Sequence, residues 1–332
     1  MDPVTQGVLG AIVTQTRSKP AQLAKAACLG ALAAMAPDLD ILSRSACDPV
    51  LAIEFHRHFT HSLLFIPIGA LICALVLHPL LGRRWDLPFR TTLLWCGLGY
   101  ATHALLDGCT TYGTQLLWPF SDQRFAWDIV SVVDPLFTAP LLVMVWLTIK
   151  KQTRRYAVAG LGWVALYLSV GALQHERALA LGLALAESRG HQALRLEVKP
   201  SFANLIVWKV IYETDDSFYV DAVKPGLFES ESWEGDSIKK LNIDSQLPWL
   251  DRESQQARDI ERFTWFSAGY VALDPKDPHR IVDIRYSMLP QSIAPLWGIK
   301  LSPDADPQQH AEYYTLREKA GESLQKILGM MF

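Results

Sequence analysis

The sequence predicts an α-helical polytopic membrane bundle of four to six membrane helices, followed by a soluble α+β domain. Three observations carry that prediction. Half of the 332 residues are hydrophobic and the mean hydropathy is +0.13, more apolar than an ordinary soluble enzyme of this length. The long apolar runs all fall before residue 180, and from about residue 190 the pattern changes to short alternating stretches. The charge divides the same way: residues 1–189 hold 15 Lys+Arg against 12 Asp+Glu, and the remainder 16 against 22. The boundaries follow as 1–180 for a helical membrane domain and 190–332 for a soluble domain. Neither part has the basic excess of a nucleic-acid binder, so no nucleic-acid partner is expected.

A helix needs roughly 20 mostly apolar residues to cross the hydrocarbon core. Ser62–Leu81, Thr91–Leu106, Val132–Ile149 and Tyr156–Leu173 are the four better candidates. Ala21–Ala36 is shorter and rich in Ala and Gly, which let membrane helices approach closely. Val4–Thr16 is too short to cross comfortably and reads as a half-inserted or bundle-packed helix. Met1-Asp2-Pro3 lacks a basic leader region, so no cleavable signal peptide is expected. The five cysteines form no CxxC pair, which argues against a zinc ribbon.

Lys and Arg gather in three turns: Arg17 and Lys19; Arg83, Arg84 and Arg90; and Lys150, Lys151, Arg154 and Arg155. If all six segments cross, these turns share one side, which the positive-inside rule makes cytoplasmic. The opposite, non-cytoplasmic face then receives Pro37–His61, Asp107–Ser131 and everything after His175.

In the polar half, Leu194–Val198, Leu205–Tyr212 and Phe218–Val223 alternate as half-buried strands do, and Pro225-Gly226 marks a turn. Glu253–Leu273 reads as an amphipathic helix, Ile281–Tyr286 and Leu296–Leu301 as strands, and Ala311–Leu328 as a final helix. The strand pairing is expected mostly at the start of this domain.

Three clusters carry candidate chemistry. Pro37-Asp38-Leu39-Asp40 follows an apolar helix that Pro37 should end, and its two carboxylates can meet one ion in non-helical backbone; a solvated helix-end turn is the plain alternative. His56-Arg57-His58-Phe59-Thr60-His61-Ser62 places three histidines just before a span, where a headgroup-binding patch is the alternative. His103 and Asp107 stack on one helix face by their i,i+4 spacing, as ligands of one metal, as ligand and orienting partner, or as a structural pair. Ionisable groups inside an apolar span are functional candidates by default. Asp134-Pro135 opens another span on the same face, where Asp134 reads equally as a ligand or as a helix cap. Mixed His and carboxylate ligands suit Zn, with Mn or Fe as alternatives, and the number of candidates suits one or two ions.

In this order the clusters resemble the membrane-bound metal-dependent hydrolase family typified by YdjM, with its PD-x-D turn, HR-x-x-THS segment and H-x-x-x-D followed by a Thr/Gly-rich stretch ending in LLWP. The last appears as Leu116-Leu117-Trp118-Pro119, and the resemblance covers roughly residues 1–175. It implies Asp38, Asp40, His56, His61, His103 and Asp107 as metal ligands, with His58 at a variable position, in a multi-pass protein of a bacterial inner membrane. Several relatives carry a His in an N-terminal T-H-x-x-x-G pattern, where this chain has Gln6. The resemblance to zinc phospholipases C is distant and would make a phosphodiester the target.

The expected function is therefore metal-dependent hydrolysis of a phosphoester in a lipid or lipid-linked substrate. Arg57 is the expected phosphate clamp and Asp40 or Asp134 the expected base. A metal-ion transporter would spread its ligands through the membrane depth. A non-catalytic anchor stapled by metal would lose stability, and no reaction, on chelation.

Overall fold

The computed structural model describes residues 1–43, 45, 47–226, 228–316 and 320–332. Its helices are α1 (Pro3–Thr16), α2 (Leu23–Met35), α3 (Leu51–Phe55), α4 (Ile66–Leu77), α5 (Phe89–Gly108), α6 (Pro135–Lys150), α7 (Arg155–Ser188), α8 (Ile243–Gln246), α9 (Gln255–Phe266) and α10 (Ala320–Met331). Its strands are β1 (Arg195–Pro200), β2 (Trp208–Glu213), β3 (Ser217–Lys224), β4 (Glu231–Trp233), β5 (Ser237–Lys239), β6 (Val271–Asp274), β7 (Asp277–Asp283), β8 (Trp297–Lys300) and β9 (Glu312–Thr315). The chain forms two units. One holds Met1–Leu42, Phe55–Leu173 and Phe202–Asn204; the other holds Ser43–Glu54, Gln174–Ser201 and Leu205–Phe332.

The first unit is helical. Asp2 caps α1, its carboxylate accepting from the backbone N–H groups of Val4 and Thr5 at 3.1 Å, with Pro3 at the first helical position. The small residues expected to let helices approach do so at Gly10, Gly30 and Gly99. A Cβ on Gly10 or Gly99 would strike the Gly30 carbonyl, and one on Gly30 would strike the Gly10 carbonyl, so α1, α2 and α5 meet backbone to backbone. Among the described residues, two helices are long and apolar enough to cross a membrane, Leu63–Trp85 of 23 residues (α4 with its flanking turns) and α7 of 34; α6 is apolar and shorter. On the first of them Leu64, Ile68, Leu71, Ile72, Leu75 and Val76 are all exposed, a surface that suits lipid better than water.

The helix predicted to stop at Leu173 continues through Gln174-His175-Glu176-Arg177 to Ser188, just before Gly190, which has a left-handed φ of 69°. Those polar residues end the apolar run, but none of them breaks helical backbone. Beyond them α7 packs on the sheet of the second unit, where a Cβ on Gly182 would touch Val210 and Leu196.

Among the described residues, the second unit contains two antiparallel sheets. One has the order β1-β2-β3-β4 with β5 also paired to β3; the other runs β6-β7-β8-β9. Ile211, Phe218, Val220, Tyr270, Ala272, Val282, Ile284 and Ile293 form their shared buried core. Two sequence expectations change here. The helix predicted over Glu253–Leu273 is α9 alone, because Ala268 and Gly269 take positive φ (49° and 81°) and the chain then pairs Val271 with Asp283. The start of the helix predicted over Ala311–Leu328 is β9, paired Trp297 to Thr315 through Lys300 to Glu312. Pairing is therefore not concentrated at the start of the domain. In both places a waiting strand edge overrode the local helical pattern.

Candidate metal centre

Three segments of the first unit converge. Pro37 ends α2 and starts the short 3-10 turn Pro37–Leu42, which carries Asp38 and Asp40. His61 closes the turn Phe59–His61, and Ser62 then caps the next turn, its Oγ accepting from the Phe65 N–H at 3.2 Å. His103 and Asp107 lie one turn apart at the end of α5.

His61 Nε2 and His103 Nε2 lie 2.8 Å apart. Asp38 Oδ1 is 3.5 Å from His61 Nε2 and 3.3 Å from His103 Nε2; Asp107 Oδ2 is 3.5 and 3.7 Å from the same two atoms. His61, His103 and Asp107 are completely buried, and the Asp38 side chain keeps 22% of its exposure, so any approach from outside is past Asp38. Ligands about 2.0–2.1 Å from a tetrahedral ion stand about 3.3–3.4 Å from one another. Four of the five distances above fall at or just beyond that edge length, so the residues fit such an ion.

The protons argue the same way. His103 Nδ1 lies 2.5 Å from the Ala34 carbonyl, which can only accept, so Nδ1 carries the hydrogen. His61 Nδ1 faces Asp40 Oδ2 at 3.2 Å and Thr60 Oγ1 at 3.0 Å, which places its hydrogen on Nδ1 as well. With both rings neutral, the two Nε2 atoms turn lone pairs toward two carboxylate oxygens and toward each other, and Asp107 Oδ2 is buried with no hydrogen bond. A cation, or a proton shared between the two imidazoles, satisfies this group of four atoms.

A supporting layer surrounds these atoms. Asp40 accepts from the Arg57 backbone N–H and from Thr60 Oγ1, both at 3.0 Å, and pairs with His56 Nδ1 at 2.8 Å. Burial pushes the Asp40 carboxyl up, but its hydrogen bonds to His56 and His61 outweigh that and hold it well below the usual carboxylate range. Asp38, Asp40 and His56 form a second group with ligand spacing that shares Asp38 with the first. Gln6 Nε2 donates to Asp107 Oδ1 at 2.7 Å, so this amide from α1 rests against one of the four central residues. The Met1 ammonium also contacts Asp107 Oδ1.

Three expectations find other places. Arg57 is buried rather than presented as a clamp: Nη1 donates to Thr110 Oγ1 at 2.9 Å, Nε lies 3.1 Å from Asp107 Oδ2, and the guanidinium covers the Tyr112 ring. Asp134 is the cap of α6, its Oδ1 accepting from the Phe137 N–H at 3.2 Å and its Oδ2 from the Tyr167 hydroxyl at 2.8 Å, and it joins no ligand group among the described residues. Asp40 has both oxygens engaged and braces His61 and His56 instead of standing free as a base. His58 packs against Trp118 and Phe55 and also stays outside the ligand groups. Sequence reasoning gave no site role to Thr110 or to the Ala34 carbonyl. Thr110 stands three residues beyond Asp107, a spacing that could have flagged it, whereas nothing in the sequence marks the carbonyl.

The family model described as YdjM inner membrane protein matches residues 1–178. Over 111 residues the chain is 39% identical to the inner membrane protein YbcI of Escherichia coli (strain K12), a stretch covering 31% of this chain and 60% of YbcI. It is 26% identical over 304 residues to YfhP of Bacillus subtilis (strain 168), covering 85% of each. No solved structure matches. The matched residues 1–178 include every side chain of the cluster just described and more than half of the sequence, and the chain belongs to the YdjM inner membrane protein family.

Proposed function

We propose that the protein is a multi-pass, metal-dependent hydrolase of the inner membrane that acts on a phosphoester of a lipid or lipid-linked substrate. In this reading four to six of the helices α1, α2, Leu63–Trp85, α5, α6 and α7 cross the bilayer, with the centre and the second unit on the non-cytoplasmic side. The observation that carries it is the meeting of His61 Nε2, His103 Nε2, Asp38 Oδ1 and Asp107 Oδ2 at the spacing of ligands to one ion. Those four residues would hold a divalent ion, zinc by their chemistry. Such an ion, when bound, acidifies water and polarises a phosphoryl oxygen.

The chain's own residues do the rest. Ala34 and Asp40 fix the ring orientations of His103 and His61, and Gln6 and Arg57 fix Asp107. Asp38 stands at the open edge and is common to both ligand groups, so a second ion would share it with Asp40 and His56. His56 keeps 27% of its side-chain exposure, and its Nδ1 is held by Asp40, which makes it the imidazole best placed to move a proton to or from solvent. The site sits where apolar helices begin and end, which favours a substrate that reaches it from the lipid.

A second reading, a metal that only staples the helices, is favoured by the complete set of four protein donors and the burial of three of them. Metal content and turnover of a lipid phosphoester panel, measured on purified wild type and His61→Ala, separate the two. The hydrolase reading expects bound zinc and chelator-sensitive turnover in wild type, both lost in His61→Ala. Bound zinc with equal turnover in both proteins leaves the staple. No bound metal in a folded wild type assigns the gap between the imidazoles to a shared proton and overturns both.

A further inference from the structure

The stretch Ser43–Glu54 belongs to the second unit, yet in sequence it joins Asp40 to His56. One residue grips it. Arg262, on α9, donates from Nη1 to Asp48 Oδ1 at 3.0 Å, with Nη2 at 3.0 Å from Asp48 Oδ2, and donates from Nε and Nη2 to Glu54 Oε2 at 2.9 and 2.6 Å. Asp259, buried beneath, accepts from Arg262 Nη1 at 3.1 Å and is itself held by His310 Nδ1 and the Ala311 N–H, each at 2.9 Å. Asp48 also accepts from the N–H groups of Val50 and Leu51 at 3.1 Å, which anchors the start of α3. Asp48, Asp259 and His310 have the spacing of a metal site, but the guanidinium already fills the space between the carboxylates and hydrogen bonds satisfy them. A fork with this many acceptors, part-buried, is worth more than an isolated surface pair.

We infer that Arg262 is a positioning residue for the candidate metal centre, acting through this strap; the inference rests on the metal reading above. Glu54 is two residues before His56, a reach of at most about 7 Å of chain, so holding Glu54 confines His56 and Arg57. Arg57 needs that confinement. Its φ is 66°, a left-handed conformation that a side-chain-bearing residue keeps only when its surroundings impose it. In that conformation its backbone N–H holds Asp40 and its guanidinium lies against Asp107, so slack in the strap reaches the groups that orient His61 and Asp107.

The test is zinc titration of the full chain, purified in detergent, against a competing chelator. Arg262→Gln and Glu54→Gln should each weaken zinc binding about tenfold, the low end of the range for groups that orient ligands. The double variant should lose no more than Arg262→Gln alone, since that substitution already breaks the contact to Glu54, and Arg262→Lys should recover part of the loss. Should Arg262→Gln fail to fold, Glu54→Gln decides, because it leaves Arg262 bound to Asp48 and Asp259. Wild-type affinity in the folded variants overturns this inference alone. A wild type that takes up no zinc overturns it together with the metal reading.

Discussion

Replacing His103 with Ala removes one of the four converging atoms, and its size can be worked out. Zinc that binds only the folded protein, supplied at 100 times its Kd, stabilises it by about 2.7 kcal/mol. Groups that merely orient ligands cost 10–100-fold in affinity when lost, so losing a direct ligand should cost at least about 100-fold. Zinc at the same concentration then stands near the new Kd and contributes only about 0.4 kcal/mol. For a unit of this size the difference of about 2.3 kcal/mol corresponds to about 5–9 °C in Tm. The assay is thermal unfolding of the purified chain in detergent with and without zinc, comparing the zinc-induced shift in wild type and His103→Ala. Using the shift rather than the absolute Tm removes the cost of the cavity that Ala leaves at a fully buried site. An equal shift in both proteins, or none in wild type, would refute the reasoning.

Two further outcomes follow from groups away from the centre. Asp134→Ala should destabilise the chain by about 2 kcal/mol, through loss of the α6 cap and of the Tyr167 hydrogen bond, while zinc stoichiometry stays at the wild-type value; reduced stoichiometry would return Asp134 to the ligand set. Lys209 is buried, with Nζ donating to Ser287 Oγ at 2.7 Å and to the Ser292 carbonyl at 2.8 Å, and burial lowers its pKa to about 7 against the opposing pull of Asp283 and Asp236. The unfolded chain therefore binds more protons than the folded one between about pH 7 and 10, so stability should rise with pH across that window, by roughly 4 kcal/mol from this group. Denaturant unfolding at a series of pH values should show that rise in wild type and lose it in Lys209→Met; the same slope in both would sink the assignment.

The sequence by itself determined most of what depends on local pattern. The apolar runs marked the helices, and Asp134-Pro135 carried a cap signature that the structure realises. The spacing of His103 and Asp107 put both on one helix face, and the order PD-x-D, HR-x-x-THS, H-x-x-x-D carried the family resemblance. These features are legible because helical periodicity and capping act within a few residues. What only the tertiary structure decided is which side chains face one another. Arg57, expected as a phosphate clamp, turns inward because Thr110 and Asp107 come from a distant helix end. Asp40 stops being a free carboxylate because His56, His61 and Thr60 surround it. Glu312–Thr315 becomes a strand because β8 offers an unpaired edge, and Ser43–Glu54 leaves the helical unit because Arg262 holds it. The reason is common to all four: each outcome is a contact between residues far apart in sequence, and such contacts have no short-range signature to read.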